Sequence, residues 1–143
     1  MRILIDTNVF LDFILKREPF FRQALSMIDL CRKQIVQGAI SAQSAADIYY
    51  ILRKHYSVEQ RKRILLDICQ FMDVVSIGKE QLVFALRDTG FPDFEDCLQA
   101  EGAGVWGADY IITRNGKHFV HSKIPVITPE EFCNHYPKNE FGT

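Results

Sequence analysis

Three separated stretches of this chain concentrate side chains that can do chemistry. In the first, an unbroken apolar run, Ile3-Leu4-Ile5, ends abruptly in a carboxylate, a hydroxyl and an amide at Asp6-Thr7-Asn8. In the second, Asp47 shares a helical face with Tyr50 and Ile51, three and four residues on, so an acid lies along an apolar side and calls for a partner. The third is Asp93-Phe94-Glu95-Asp96, a dense acidic point just after the glycine and proline of a loop. Carboxylates brought together from distant segments suit a hard divalent cation, which takes oxygen ligands in near-octahedral geometry and keeps several of its waters. Packed without a cation they would repel one another and some would protonate, so such a cluster argues for a bound ion. The chemistry this offers is metal-assisted hydrolysis, with water as the nucleophile.

Plainer roles compete at each position. Asp6 or Asn8 is equally well placed to cap a helix beginning near Val9, and Asp93, one turn before Asp96 on the same face, is a candidate metal ligand whose place in the favourable field of a helix start would explain it equally well. Thr7, Asn8, Ser41 and Thr113 read as hydrogen-bonding groups or caps around the acids rather than as ligands. Arg114, beside the acidic pocket, is the candidate for gripping substrate. The basic stretch Arg53-Lys54-His55-Tyr56 with Arg61-Lys62-Arg63 can hold phosphates, Tyr56 stacking on a base, although charge on helix faces is usually solvation. Asp12, Asp67, Asp73 and Asp88 read as solvated, Asp109 sits at the wrong end of its strand, and Phe94, Trp106 and Phe119 read as core.

The elements that must position these residues follow from periodicity. Ile3 to Ile5 suit a strand buried on both faces. Val9, Phe10, Phe13 and Ile14 recur at helical spacing, a second helix runs from about Phe20 to Ile35, and Gly38 ends this helical hairpin. Ala39-Ile40-Ser41 is a short strand, with Ser41 as N-cap of a helix running to Lys54. Ser57-Val58-Glu59-Gln60 has the form of a capping box. Asp73 to Ile77 is a strand, and Lys79 to Arg87 a helix with Leu82, Val83 and Leu86 inward. From Asp93, the small residues Ala100, Ala103, Gly104 and Gly107 predict a closely packed helix ending before Asp109. Asp109 to Thr113 and Pro125 to Ile127 supply two more strands, Thr128-Pro129 opens a last helix, and residues 137–143 read as a flexible C-terminal tail. The order implies one α/β domain, residues 1–136, a three-layer α/β/α sandwich with a mostly parallel sheet of about five strands. Ligands of such sheets bind outside the carboxyl ends of the strands, the edge to which Asp6, Ser41 and Asn115 are assigned.

Composition sets outer limits. With 143 residues, 48% hydrophobic and 24% charged, the chain is an ordinary globular domain. A formal net charge of -1 excludes a surface that attracts polyanions everywhere, so any nucleic acid must be met by a local cluster. Cys31, Cys69, Cys97 and Cys133 are scattered without metal or disulfide spacing and read as reduced thiols. No apolar run approaches the roughly 18 residues of a membrane span, and acids interrupt the N-terminal stretch, so the expectation is a cytoplasmic protein with no membrane partner.

The segments Ile-Leu-Ile-Asp-Thr-Asn-Val (3–9), Ile-Ser-Ala-Gln-Ser-Ala-Ala-Asp-Ile-Tyr-Tyr-Ile-Leu-Arg (40–53), Asp-Phe-Glu-Asp-Cys-Leu-Gln-Ala (93–100) and Ala-Asp-Tyr-Ile-Ile-Thr-Arg-Asn (108–115), with Phe119 beyond, resemble the PIN-domain nucleases in content and order. The resemblance spans nearly the whole chain. It implies an endonuclease, usually acting on RNA, that holds Mg²⁺ or Mn²⁺ between carboxylates. Asp6 matches the family's first acid, Asp47 the second and Asp96 the third, and Asn115 matches a position that is acid in some members and Asn in others. The second position is typically Glu, so Asp47 is one methylene shorter than the pattern. Many small bacterial relatives are toxins neutralised by an antitoxin protein, and pairing as a homodimer is expected from relatives alone. Two other functions fit the residues less well. One is a PIN-fold RNA- or protein-binding module that lost activity through the shorter Asp47. The other is a phosphotransfer enzyme with Asp6 as nucleophile, which wants an acid where Asn8 stands.

Overall fold

The computed structural model describes residues 1–135; the predicted tail, 137–143, and the predicted domain end at 136 lie outside the described residues. The elements are β1 (Arg2–Ile5), α1 (Thr7–Ile14), α2 (Phe21–Arg32), β2 (Gln37–Ser41), α3 (Ala42–Ile51), α4 (Val58–Cys69), β3 (Asp73–Val75), α5 (Lys79–Arg87), α6 (Phe94–Trp106), β4 (Tyr110–Ile112), β5 (Val126–Ile127) and α7 (Pro129–His135). Single 3₁₀ turns follow α3 at Leu52–Lys54 and β4 at Gly116–Phe119.

The five strands pair in the order β3-β2-β1-β4-β5, all parallel. The chain therefore lays β2 and β3 on one side of β1 and returns to lay β4 and β5 on the other, which puts β1 in the centre. Side chains alternate across its pleat as strand geometry requires. Ile3 and Ile5 enter a core built with Phe10, Met27, Ile48, Ile68 and Phe132 of α1, α2, α3, α4 and α7, while Leu4 enters a second core with Ala100 and Ala103 of α6. All three β1 side chains are fully buried, each worth about 1.5–3 kcal/mol relative to exposure, so the strand that carries Asp6 is firmly anchored. The two outermost strands are short: three residues in β3 and two in β5.

Local signals explain most boundaries. Ser41 accepts from Ser44 N at 3.0 Å and caps α3, and Ser57 and Gln60 form the reciprocal capping box of α4. Gly107 ends α6 at φ 84°, a left-handed conformation that glycine adopts without Cβ strain.

Several expectations are corrected. Gly38 does not end the hairpin; it lies inside β2, where a Cβ would run into Cys31 Sγ and Met72 Sδ, so its role is close packing of α2 and the segment after α4 on the sheet. Helix α2 stops at Arg32 because Gln34 takes a positive φ of 59°, and α3 stops at Ile51 because the backbone tightens into a 3₁₀ turn. In α5 only Ala85 is buried, packed with Cys97 and Leu98; Leu82 and Leu86 face outward because the helix docks on α6 at the periphery instead of on the sheet. Phe119 is core as expected, but Phe94 is exposed. Asp12 is not solvated: it is buried in α1 and bound by Arg114. All four cysteines are free thiols, and burial pushes Cys31 up to about 12. Among the described residues no helix is long and apolar enough to cross a membrane.

Candidate active site

At the carboxyl ends of the central strands a cavity of about 370 Å³ opens, lined by Asp6 and Asn8 after β1, Gln43, Ser44, Asp47 and Tyr50 of α3, Glu95, Asp96 and Gln99 of α6, and Asn115 after β4. Asp6 is its floor. Its backbone N–H continues the sheet by donating to Ile112 O at 2.9 Å, which fixes the residue between β1 and β4. The residue is 8% exposed, and its carboxylate accepts from Thr7 N (2.8 Å) and Gln99 Nε2 (3.4 Å) at Oδ1 and from the Thr113 hydroxyl (2.7 Å) at Oδ2. The capping role and the cavity role considered for Asp6 therefore coexist in one side chain. Hydrogen bonds to a charged group contribute about 1.5–3 kcal/mol each, and here they hold the carboxylate in a single orientation.

The orientation extends into a network. Gln99 Nε2 also donates to Ser44 Oγ (2.9 Å), and Ser44 Oγ shares a hydrogen bond with Thr7 Oγ1 (2.7 Å). Thr113 Oγ1 in turn accepts from Asn115 N (3.1 Å), which presents Asn115 to the cavity. Thus β1, α3, α6 and the turn after β4 are tied together around one buried acid.

The other acids stand in α6 and α3. Asp96, in the first turn of α6, has its carboxyl pushed up to about 6, chiefly by desolvation and then by the charges of Asp6 and Asp93; His118 opposes this at 3.2 Å. Asp47 is also raised, by burial. Asp93 caps α6, accepting from Glu95 N (2.7 Å) and Asp96 N (3.4 Å), and is not among the residues lining the cavity. Ser41 serves as the buried cap of α3. Arg114, expected to grip substrate, turns away: it binds Asp12 at 2.6 and 3.2 Å, stacks 3.9 Å over Phe20, and lines a different cavity.

Asp6, Asp47 and Asp96 share the cavity without closing into a tight cluster. Among the described residues no group of three or more His, Cys, Asp or Glu stands close enough together to hold a metal ion by itself. Two of the three acids already have polar partners: Asp6 is bound by Gln99 and Thr113, and Asp96 by His118. The donor set nevertheless fits a hard cation. It is rich in oxygen, and the buried Asn8 Oδ1 and Gln43 Oε1 on its wall have no hydrogen-bond partner. Acceptors left unpaired out of water are costly, and a hydrated cation satisfies them through its waters.

Sequence reasoning missed Gln99, Ser44, Gln43, Glu95 and His118. The first four carried a signal: Gln99 lies one turn after Asp96, Ser44 one turn before Asp47, Gln43 four residues before it, and Glu95 beside Asp96. His118 carried none, since it reaches Asp96 only through the 3₁₀ turn after β4.

A parallel sheet in this strand order, with a hydrogen-bonded acid at the end of its central strand and further acids from the flanking helices, defines the class, and the chain belongs to the PIN domain family, whose model matches residues 2–117. It is 25% identical to Ribonuclease VapC1 of Aquifex aeolicus over 141 residues, 94% of this chain and 95% of that one. Among solved structures it resembles a chain of a toxin-antitoxin complex from Klebsiella pneumoniae, 26% identical, with a TM-score of 0.65 over 89% of this chain and 97% of that one. It also superposes on a chain of VapBC2 from Rickettsia felis, bound to a DNA fragment from their promoter, with a TM-score of 0.65, 19% identity and coverage of 90% and 98%.

Proposed function

We propose that this protein is a divalent-metal-dependent endoribonuclease, working with Mg²⁺ or Mn²⁺, and the toxin of a toxin-antitoxin pair. The observation that carries the reading is the buried Asp6 carboxylate opening into one cavity with Asp47 and Asp96, in a PIN chain that aligns end to end with a ribonuclease. The toxin assignment rests on the relatives and brings with it an antitoxin protein as partner; a second copy of the chain is proposed as a further partner.

The residues that would hold the ion are Asp6, Asp47 and Asp96, with Asn115 as a neutral oxygen donor. A divalent ion supplies Lewis acidity there, offsetting charge on phosphate oxygens and making water a better nucleophile. The chain's own residues do the rest. Thr113, Gln99 and the Thr7 N–H keep Asp6 from rotating as charge shifts around it. Acids on the floor and two walls repel a bare phosphodiester, so substrate enters only together with compensating positive charge, and metal and RNA binding are coupled. Burial of the floor limits access by bulk water.

The test is cleavage of RNA by purified protein with Mg²⁺ or Mn²⁺ beside Asp6→Asn. The expected outcome is cutting by the native chain and none by the variant; equal cutting by both would discard the mechanism. A second reading, a binding module with weakened catalysis, is favoured by the short Asp47 and the open spacing of the acids. Calorimetry that detects no Mn²⁺ uptake at millimolar metal would select it.

A further inference from the structure

The cavity has an aromatic side that the acids do not explain. Tyr50 follows Asp47 by three residues on α3, about 4.5 Å along the helix axis, and lines the same cavity with Ile51. It is 62% exposed, yet it is held in place: Arg53 Cζ lies 3.7 Å over the ring centroid, and Arg53 Nη1 donates to Tyr50 O at 2.9 Å. A large aromatic kept in the open beside a polar cavity, with one face covered by a guanidinium, leaves the opposite face as a flat apolar surface. Exposed Arg53, seated on the ring, also brings positive charge beside a residue of the cavity whose interior is acidic. Other aromatics of the basic stretch are committed elsewhere. Tyr56 packs against the core, and Tyr49 carries Arg61 at 4.3 Å, whose Nη1 donates to Tyr49 O at 3.0 Å.

We infer that the Tyr50 ring, fixed by Arg53, is the platform on which a base of single-stranded RNA stacks next to the phosphate held at the acids. Every base has a π-face, so such a platform favours unpaired nucleotides without choosing a sequence, and the neighbouring arginine adds charge along the strand. A base inside a duplex is already stacked and cannot use it. The inference rests on reading the acidic cavity as the site of phosphodiester cleavage, and it assigns to Tyr50 the preference of that site for unpaired over paired nucleotides.

The experiment is fluorescence anisotropy of a labelled short single-stranded oligoribonucleotide, shown by gel to stay intact, with the otherwise native chain in Ca²⁺, a hard cation of looser geometry than Mg²⁺, with and without Tyr50→Ala or Tyr50→Phe. Tyr50→Ala is expected to weaken binding about tenfold, and Tyr50→Phe, which keeps the ring, to restore most of it. On an oligomer of the same backbone with abasic sites in place of bases, Tyr50→Ala should change nothing. Unchanged affinity for normal RNA in Tyr50→Ala overturns the inference, and if that variant instead loses a protein partner, the face belongs to the protein. An equal loss on normal and abasic strands also overturns it, because the effect is then not stacking. Cleavage by the native chain, measured separately with Mn²⁺, keeps the two readings apart: cutting with no Tyr50 dependence sinks the platform alone, and Tyr50-dependent binding without cutting sinks the nuclease.

Discussion

Asp96→Asn should make the metal-free protein more stable at neutral pH, although it removes a carboxylate from the candidate site. Burial, aided by Asp6 and Asp93, pushes the Asp96 carboxyl from 3.8 to about 6. A carboxyl raised on folding binds a proton in the native chain where the unfolded chain has lost it, so stability falls as pH rises from 3.8 to about 6 and the full cost stands above that. At 1.36 kcal/mol per pH unit the gap corresponds to roughly 3 kcal/mol. Because the side chain is still 20% exposed and water screens part of the charge, about 1–2 kcal/mol is the realistic gain. For a chain of this size that is a rise in Tm of about 3–8 °C. Scanning calorimetry in chelator at pH 7.5 and pH 4 checks it: the variant's advantage should be present at the higher pH and largely gone at the lower. Adding Mn²⁺ should then raise native Tm above that of the variant, because only the native site gains binding energy. A variant less stable than the native chain in chelator, by the same margin at both pH values, would refute the electrostatic account of the site.

Three further outcomes follow from the same contacts. Asp47→Glu, which restores the missing methylene, should tighten Mn²⁺ binding by calorimetry and raise cleavage rate; weaker binding would show that Asp47 already sits at the right reach. Gln99→Leu removes the donor to Asp6 Oδ1 and Ser44 Oγ, and should lower kcat with a stability loss of only about 1 kcal/mol in urea denaturation. Arg114→Ala leaves Asp12, 1% exposed, as a buried charge without its main partner and should cost about 3–5 kcal/mol, much of it recovered by adding Asp12→Leu.

What the sequence made legible was what neighbours along the chain decide. Ile3 to Ile5 announce a doubly buried strand, Ser57 with Gln60 a helix start, and Asp6 both a cap and a strand-end acid; each depends on residues within a few positions. The strand and helix order was readable for the same reason, and with it the edge that carries Asp6 and Asn115. Long-range pairing was not readable. Asp12 follows Leu11 in an unremarkable helix, and nothing local says that a guanidinium 102 residues away will neutralise it. Gln99 reaches Asp6 across 93 residues, and the outward turn of Leu82 and Leu86 depends on α5 docking at the periphery. Spacing along a helix shows which side chains share a face; which object that face meets is decided by the tertiary fold.

The shortness of β3 and β5 bears on how the molecule behaves in company. An outer strand of two or three residues shows few free backbone groups, so a neighbour finds little on which to build a continuing ribbon, and aggregation through the sheet rims is discouraged. Any durable complex must accordingly be made through side chains on helices and turns, where its formation can be tuned one residue at a time.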